Sequence, residues 1–200
     1  MEFEILGWPA DGPTLDLDHE RFAYAGKFVM SSTGKAVART GNSDDGGDSG
    51  DIVGAVAFNE DRTDEETCWL RYVTVHSDRR GEGIGSRLLA FTREALAERG
   101  YARVRIAVNN PFAFEACYRA GFRFTGEETG IAELVLEWSA DDGTDGKRSA
   151  VAGGSNVGIG YADGLDQFGE RDLQEAEQDY LTRARERGPP PRVDEDASSG

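Results

Sequence analysis

Val73-Thr74-Val75, followed by Arg80-Gly81-Glu82-Gly83-Ile84-Gly85-Ser86, sets a strand, a tight glycine turn and a helix start in succession. The first four backbone N–H groups of a helix have no internal partner, and the helix dipole adds partial positive charge at the same end. Glycines remove the Cβ atoms that would hold an anion away from those N–H groups. Arg80 adds a fixed positive charge beside them. The segment reads as an anion site, and a diphosphate is its natural occupant.

Two familiar diphosphate loops fail on residues. A dinucleotide-binding turn needs G-x-G-x-x-G, yet counting from Gly81 ends on Ser86 and counting from Gly83 ends on Leu88. It also wants an acidic residue at the end of the next strand, where this chain has Asn109 and Asn110. A P-loop needs Gly-Lys-Ser/Thr, and no lysine lies in the region.

Outward from the loop, Trp69–Val75 is rich in strand formers. Ile84 to Arg99 carries Ile84, Leu88, Phe91, Ala95 and Leu96 as an apolar stripe at helical spacing, stopped by Gly100. Val104, Ile106 and Val108 alternate as a half-buried strand. Asn110 is a good N-cap and Pro111 suits the first helical position, so a short helix is expected to Ala120, ending at Gly121. Phe122–Phe124 and Glu133–Trp138 read as two further strands.

The cluster resembles motif A of the GNAT superfamily of N-acetyltransferases, Arg/Gln-x-x-Gly-x-Gly/Ala, filled by Arg80, Gly83 and Gly85. Val73-x-Val75 precedes it as in the family, with Ser77 where a proline is common. Asn110-x-x-Ala113 and Gly121-Phe122 fall at motif B spacing, followed by Thr125-Gly126. The match runs from about Ile52 to Trp138, is loose before that and absent from the tail. The resemblance implies an α+β fold: a mixed, mainly antiparallel sheet with a splayed parallel pair and flanking helices. It further implies that acetyl-CoA is a co-substrate. Its pantetheine would bond to the backbone of Val73 and Val75, its pyrophosphate would lie on Arg80, Gly81, Gly83, Ile84, Gly85 and Ser86, and Asn110 would touch its arm near the thioester.

The implied reaction is direct attack by a primary amine of a small molecule or protein on the acetyl thioester. Backbone N–H groups would polarise the carbonyl and an acid would protonate the leaving thiolate. In the family that acid is usually a tyrosine seven residues after the motif B asparagine; counting from Asn110 gives Cys117, with Tyr118 one residue later and turned about 100° around the helix. Cys117 and Tyr118 stand as alternatives. Glu65, Glu66 and His76 flank the central strand as candidate bases. A non-catalytic acetyl-CoA-binding sensor is the competing reading, and the missing in-register tyrosine favours it.

Elsewhere, Phe3, Ile5 and Trp8 suggest a first strand, and Asp18 a cap for a helix carrying Phe22, Ala25 and Val29 on one face. Thr40–Asp51 reads as a hairpin loop between Ala36–Arg39 and Ile52–Phe58. The domain is expected over residues 1–139. Residues 140–200 read as an acidic, low-complexity tail, with a helix at 172–187 carrying Leu173, Ala176, Tyr180 and Ala184 on one side.

Acidic residues outnumber basic ones 38 to 22 in the 200 residues, for a net charge of -16. That field repels nucleic acids and anionic membranes. Lys27, Lys35 and Lys147 are the only lysines, and this balance resembles salt-adapted proteins. Cys68 and Cys117 are too few for a disulfide framework and lack metal-type spacing. Met1 to Trp8 lacks a basic signal-peptide region, and no apolar run approaches the roughly 20 residues that span a bilayer. A cytoplasmic protein is expected, with no metal, and with a homodimer left open.

Overall fold

A computed structural model describes residues 1–41, 51–143 and 160–193. By contacts the chain divides into two compact units, 1–104 and 105–200. Most of the expected hairpin loop, most of the expected 140–155 linker and the last residues of the tail lie outside the described residues.

In the first unit, β1 (Glu2–Gly7), β2 (Gly34–Arg39), β3 (Ile52–Glu60) and β4 (Thr67–Val75) pair antiparallel in sequence order. Helix α1 (Ile84–Glu98) buries Ile84, Leu88, Leu89 and Leu96 against this sheet, and Gly100 follows it at φ 107°. Strand β5 (Arg103–Val108) joins β4 where the Arg103 N–H donates to the Glu66 carbonyl at 3.1 Å. The full strand order is β1-β2-β3-β4-β5-β7-β6, a mixed seven-stranded sheet with β4 and β5 parallel. The expected fold class holds.

Opposite α1, the sheet is covered by irregular chain. Leu17, Phe22, Ala25 and Phe28 pack on Val37, Ala55 and Ala57, with Tyr72 at the margin. Here the sequence expectation of a helix from Asp18 is corrected. Asp18 caps a single turn, taking the N–H of Phe22 at 2.9 Å on its carbonyl and that of Glu20 at 2.9 Å on its carboxylate. The chain then leaves helical geometry at Tyr24, which is left-handed at φ 60°, and makes only a 3-10 turn at Ala25–Lys27. Gly26 weakens any longer helix. The buried positions 17, 22, 25 and 28 serve a sheet face rather than one helical stripe, and Val29 is exposed.

In the second unit, Asn110 accepts the Ala113 N–H at 2.9 Å and starts α2 (Pro111–Arg119), which Gly121 terminates at φ 90°. Strands β6 (Arg123–Glu128) and β7 (Leu134–Ser139) form an antiparallel hairpin. Two helices follow: α3 (Tyr161–Gly169), which sequence reasoning missed, and α4 (Glu175–Arg187), ended by Gly188. Phe114 of α2 is fully buried between Phe124, Tyr161 and Phe168, with ring centroids 5.7–6.3 Å away. Gly164 lets α3 approach, since a Cβ there would collide with the Phe114 ring. On α4 the buried residues are Leu181 and Ala184, while Ala176, expected on that face, is exposed.

Candidate active site

The glycine turn lies in the first unit, between β4 and α1. Gly81 and Gly83 take φ values of 82° and 74°, left-handed conformations that strain any residue with a Cβ. Gly83 is the N-cap of α1, and no side chain caps this end of the helix. Its first N–H groups therefore face outward without an internal acceptor. A Cβ at Gly85 would meet Val75 Cγ2 at an ordinary 3.5 Å, so the protein alone does not demand glycine there.

Charge at the turn is sorted by a contact that the sequence did not suggest. Arg79 grips the Glu82 carboxylate with two hydrogen bonds, Nε to Oε1 and Nη2 to Oε2, both 2.8 Å. The bond from Arg79 holds the Glu82 carboxyl below its usual range. The acid within the glycine segment itself, Glu82, is thus neutralised inside the loop. Arg80 is exposed with no side-chain partner among the described residues. Arg87 lays its guanidinium near the carbonyls of Glu82 (3.2 Å) and Gly83 (3.5 Å), adding a second cation at the same helix end. The signal for the Arg79–Glu82 clamp was its i,i+3 spacing. Helix N–H groups without an internal acceptor, two left-handed glycines and two arginines make this end of α1 able to take an anion.

Strand β4 positions what lies beside the loop. Its register with β3 shifts between Ala57–Tyr72 and Phe58–Leu70, so Arg71 is an extra residue and the strand is bulged just before Val73. Beyond the bulge, Val75 pairs with Gly54, where a Cβ would meet Ile84 and Leu88, so Val75 faces α1. Thr74 pairs with Ala55 and faces the other way, toward the Leu17–Phe28 cluster.

The candidate bases fare unevenly. His76 accepts the Asp78 N–H on Nδ1 at 3.2 Å and stacks edge-on to Phe22 at 5.3 Å. That backbone N–H engages the Nδ1 lone pair of the ring. Glu65 and Glu66 are exposed at the start of β4, about 25 Å along the strand from Val75. The cleft there, of about 510 Å³, is lined by Glu60, Asp61, Glu65, Arg99 and Tyr101. Two of its three acids already hold structure: Glu60 accepts the Tyr101 hydroxyl, and Asp61 accepts from Thr63 and the Trp69 indole. Hydrogen bonds from Thr63, then Trp69, pull the Asp61 pKa down to about 2.

In the second unit, Asn110 uses its Oδ1 on the Ala113 N–H and its Nδ2 on Asn109 at 3.0 Å. Cys117 is 1% exposed, and burial pushes its thiol up to about 12. Tyr118 is half-buried, with its ring 4.8 Å from that of Tyr161 on α3. Glu115, also buried, accepts the Tyr161 hydroxyl at 2.8 Å and an N–H of Arg187. Among the described residues no cluster of side chains could hold a metal ion, and no helix is long and apolar enough to cross a membrane.

No curated protein sequence matches the chain. Among solved structures, nourseothricin acetyltransferase is 24% identical over 54% of this chain and 65% of its own, with a TM-score of 0.44. Ribosomal-protein-alanine N-acetyltransferase from Brucella melitensis is 22% identical over 54% of this chain and 68% of its own, with a TM-score of 0.44. A Bacillus subtilis acetyltransferase in complex with CoA is 16% identical over 54% and 76%, with a TM-score of 0.43. The chain thus spans about two thirds of the length of the first two. The sequence model of the acetyltransferase (GNAT) family matches residues 11–122, more than half of the chain, reaching further toward the N-terminus than the motifs alone. The chain belongs to the acetyltransferase (GNAT) family, whose acetyl donor is acetyl-coenzyme A.

Proposed function

We propose that this protein transfers the acetyl group of acetyl-CoA to a primary amine of a small molecule or protein by direct attack. The observation that carries the reading is the turn before α1, where Arg79 neutralises Glu82 and leaves Arg80 and the helix N–H groups for a diphosphate. The backbone of Val73 and Val75 holds the pantetheine as an added strand would. Arg80, Gly81, Gly83, Ile84, Gly85 and Ser86 hold the pyrophosphate, and Asn110 contacts the arm. The amine nitrogen bonds to the thioester carbonyl carbon and loses a proton to solvent. The C–S bond breaks, and the thiolate takes a proton.

Cys117 is a poor source of that last proton. A thiol pushed up to about 12 by burial gives its proton uphill to a thiolate whose acid has a pKa of about 8.5. Cys117 is assigned to packing, which leaves Tyr118 and water as donors. Loss of a side-chain acid costs about 100-fold or more in turnover. Tyr118→Phe therefore separates the two, with Cys117→Ala as the control expected to keep its rate.

Thiol release from acetyl-CoA, measured against an amine panel in molar potassium chloride, tests the proposal. Amine-dependent release supports it. Binding of acetyl-CoA without amine-dependent release supports the sensor reading instead, which the buried Cys117 favours. The net charge of -16 supports a salt-adapted protein of the cytoplasm that avoids nucleic acid and membranes. Gel filtration against light scattering would show whether it forms a homodimer.

A further inference from the structure

The second unit holds a small cavity that acetyl transfer does not account for. Its volume is about 180 Å³, and Tyr118, Arg123, Phe124, Gly160 and Arg192 line it. These residues come from four places: the end of α2, the start of β6, the residue before α3 and the stretch after α4. Pockets for drug-sized ligands run to roughly 300 Å³ and more, so this one suits a group of a few atoms.

Its donors are not spent on the fold. Arg123 is exposed, and its side chain has no hydrogen bond or ion pair among the described residues. Glu137 lies opposite it in the β6–β7 register, but that carboxylate takes Arg105 at 2.6 Å, and Glu127 also pairs with Arg105 at 3.7 Å. The Tyr118 ring is fixed against Tyr161 at 4.8 Å, while its hydroxyl has no partner among the described residues. Arg192 has another interaction in the chain, yet a guanidinium carries five N–H donors and serves more than one acceptor. The start of α3 adds nothing, because the Gly160 N–H is taken by the Asp163 carboxylate. The site therefore rests on side chains rather than on a helix end.

Charge and shape narrow the occupant. Among the described residues that line the cavity there are two arginines and no carboxylate, in a chain of net charge -16. The general field works against an anion, so one is held here only by local, charge-assisted hydrogen bonds. Two guanidinium groups and a phenol, on three separate segments, offer donors to three oxygens. A tetrahedral oxyanion has those oxygens, whereas a carboxylate has two.

We propose that Tyr118, Arg123 and Arg192 form a second anion site, which takes one phosphate group, free or as the ester of a small molecule. An occupant there joins α2 and β6 to both ends of the α3–α4 segment. It stabilises the docked helices by the free energy of its own binding.

The phosphorus NMR linewidths of inorganic phosphate and glycerol 1-phosphate, titrated at constant ionic strength, read binding alone and do not depend on acetyl transfer. Phosphate also has access to the turn before α1, so the titration is run on Gly85→Asp, which places a carboxylate in that turn. Saturable broadening is expected, with affinity at least about 10-fold lower when Arg123→Gln is added. Arg123→Lys keeps the charge but loses the fork, and should fall between the two. The tighter ligand shows whether the occupant is the free ion or an ester. In the wild type, hydrogen exchange within α3 should slow on adding phosphate, and Arg123→Gln should abolish that slowing. Absence of saturable binding to Gly85→Asp overturns the proposal, as does an affinity that Arg123→Gln leaves unchanged. Acetate binding as tightly as phosphate also overturns it, since a planar anion would then fill the site.

Discussion

The turn at Arg79–Ser86 and the cluster around Glu115 use similar residues to opposite ends. In the turn, an arginine neutralises a glutamate at the surface, and the cost of that pair is small because both side chains stay partly exposed. The result is a helix end with positive charge to spare. Around Glu115, a buried carboxylate is satisfied by Tyr161 and Arg187, from helices 46 and 72 residues further along the chain. There the contacts serve to hold α3 and α4 on α2. A charged pair can therefore prepare a site or close a core, and burial together with leftover donors tells the two apart.

Gly85→Asp should separate the two regions most sharply. Its Cβ fits against Val75, and an aspartate in the first turn of α1 favours the helix. The same carboxylate stands where the diphosphate is proposed to sit. Calorimetry should show acetyl-CoA affinity falling by about 100-fold or more, with the melting temperature within a few degrees of wild type. Equal loss of stability and binding would mean that the turn is structural.

Glu115→Ala should do the reverse. Removing a buried carboxylate strands the Tyr161 hydroxyl and the part-exposed Arg187, at about 2 kcal/mol. For a chain of this size that lowers the melting temperature by roughly 4–8 °C. Acetyl-CoA should still bind. A variant as stable as wild type would show that the Glu115 cluster contributes little.

The smallest effect is at high pH. Burial first, and then the hydrogen bond to Glu115, push the Tyr161 hydroxyl well above the ordinary tyrosine value, and Tyr180 is shifted the same way. The folded chain keeps these protons where the unfolded chain, near its ordinary value of about 10, releases them. The stabilisation is thus complete below about pH 10 and lost as pH rises above it. Tyr161→Phe should cost about 1 kcal/mol at pH 7 and progressively less above pH 10 in urea titrations. Parallel wild-type and variant curves would contradict that linkage.

The same contrast explains what was legible in the sequence. The glycine turn, the Asn110 cap and the stop at Gly121 depend on neighbours within one or two turns, and each was found at or near its expected position. The strand and helix pattern of the family carried the fold with them. Missed features depend on distant partners or on irregular backbone. Helix α3 has Tyr161, Leu165 and Phe168 at helical spacing, yet its burial comes from Phe114, more than forty residues earlier. The segment after Asp18 showed a plausible stripe, but the sheet below it selected a left-handed Tyr24 and a 3-10 turn. The bulge at Arg71 leaves no compositional trace, since it is a register shift between two strands. The buried Thr74 hydroxyl, which has no hydrogen-bond partner among the described residues, could not be seen without its surroundings.

The role proposed for the turn before α1 is to bind the pyrophosphate of acetyl-CoA. Calorimetric titration of the wild type with acetyl-CoA and with S-acetylpantetheine, which lacks the diphosphate and nucleotide, tests it most directly when repeated on Gly85→Asp. Acetyl-CoA should bind wild type at least about 100-fold more tightly than S-acetylpantetheine, and the gap should close in the variant. Equal affinity of the two ligands for the wild type, or a gap that survives Gly85→Asp, would contradict it.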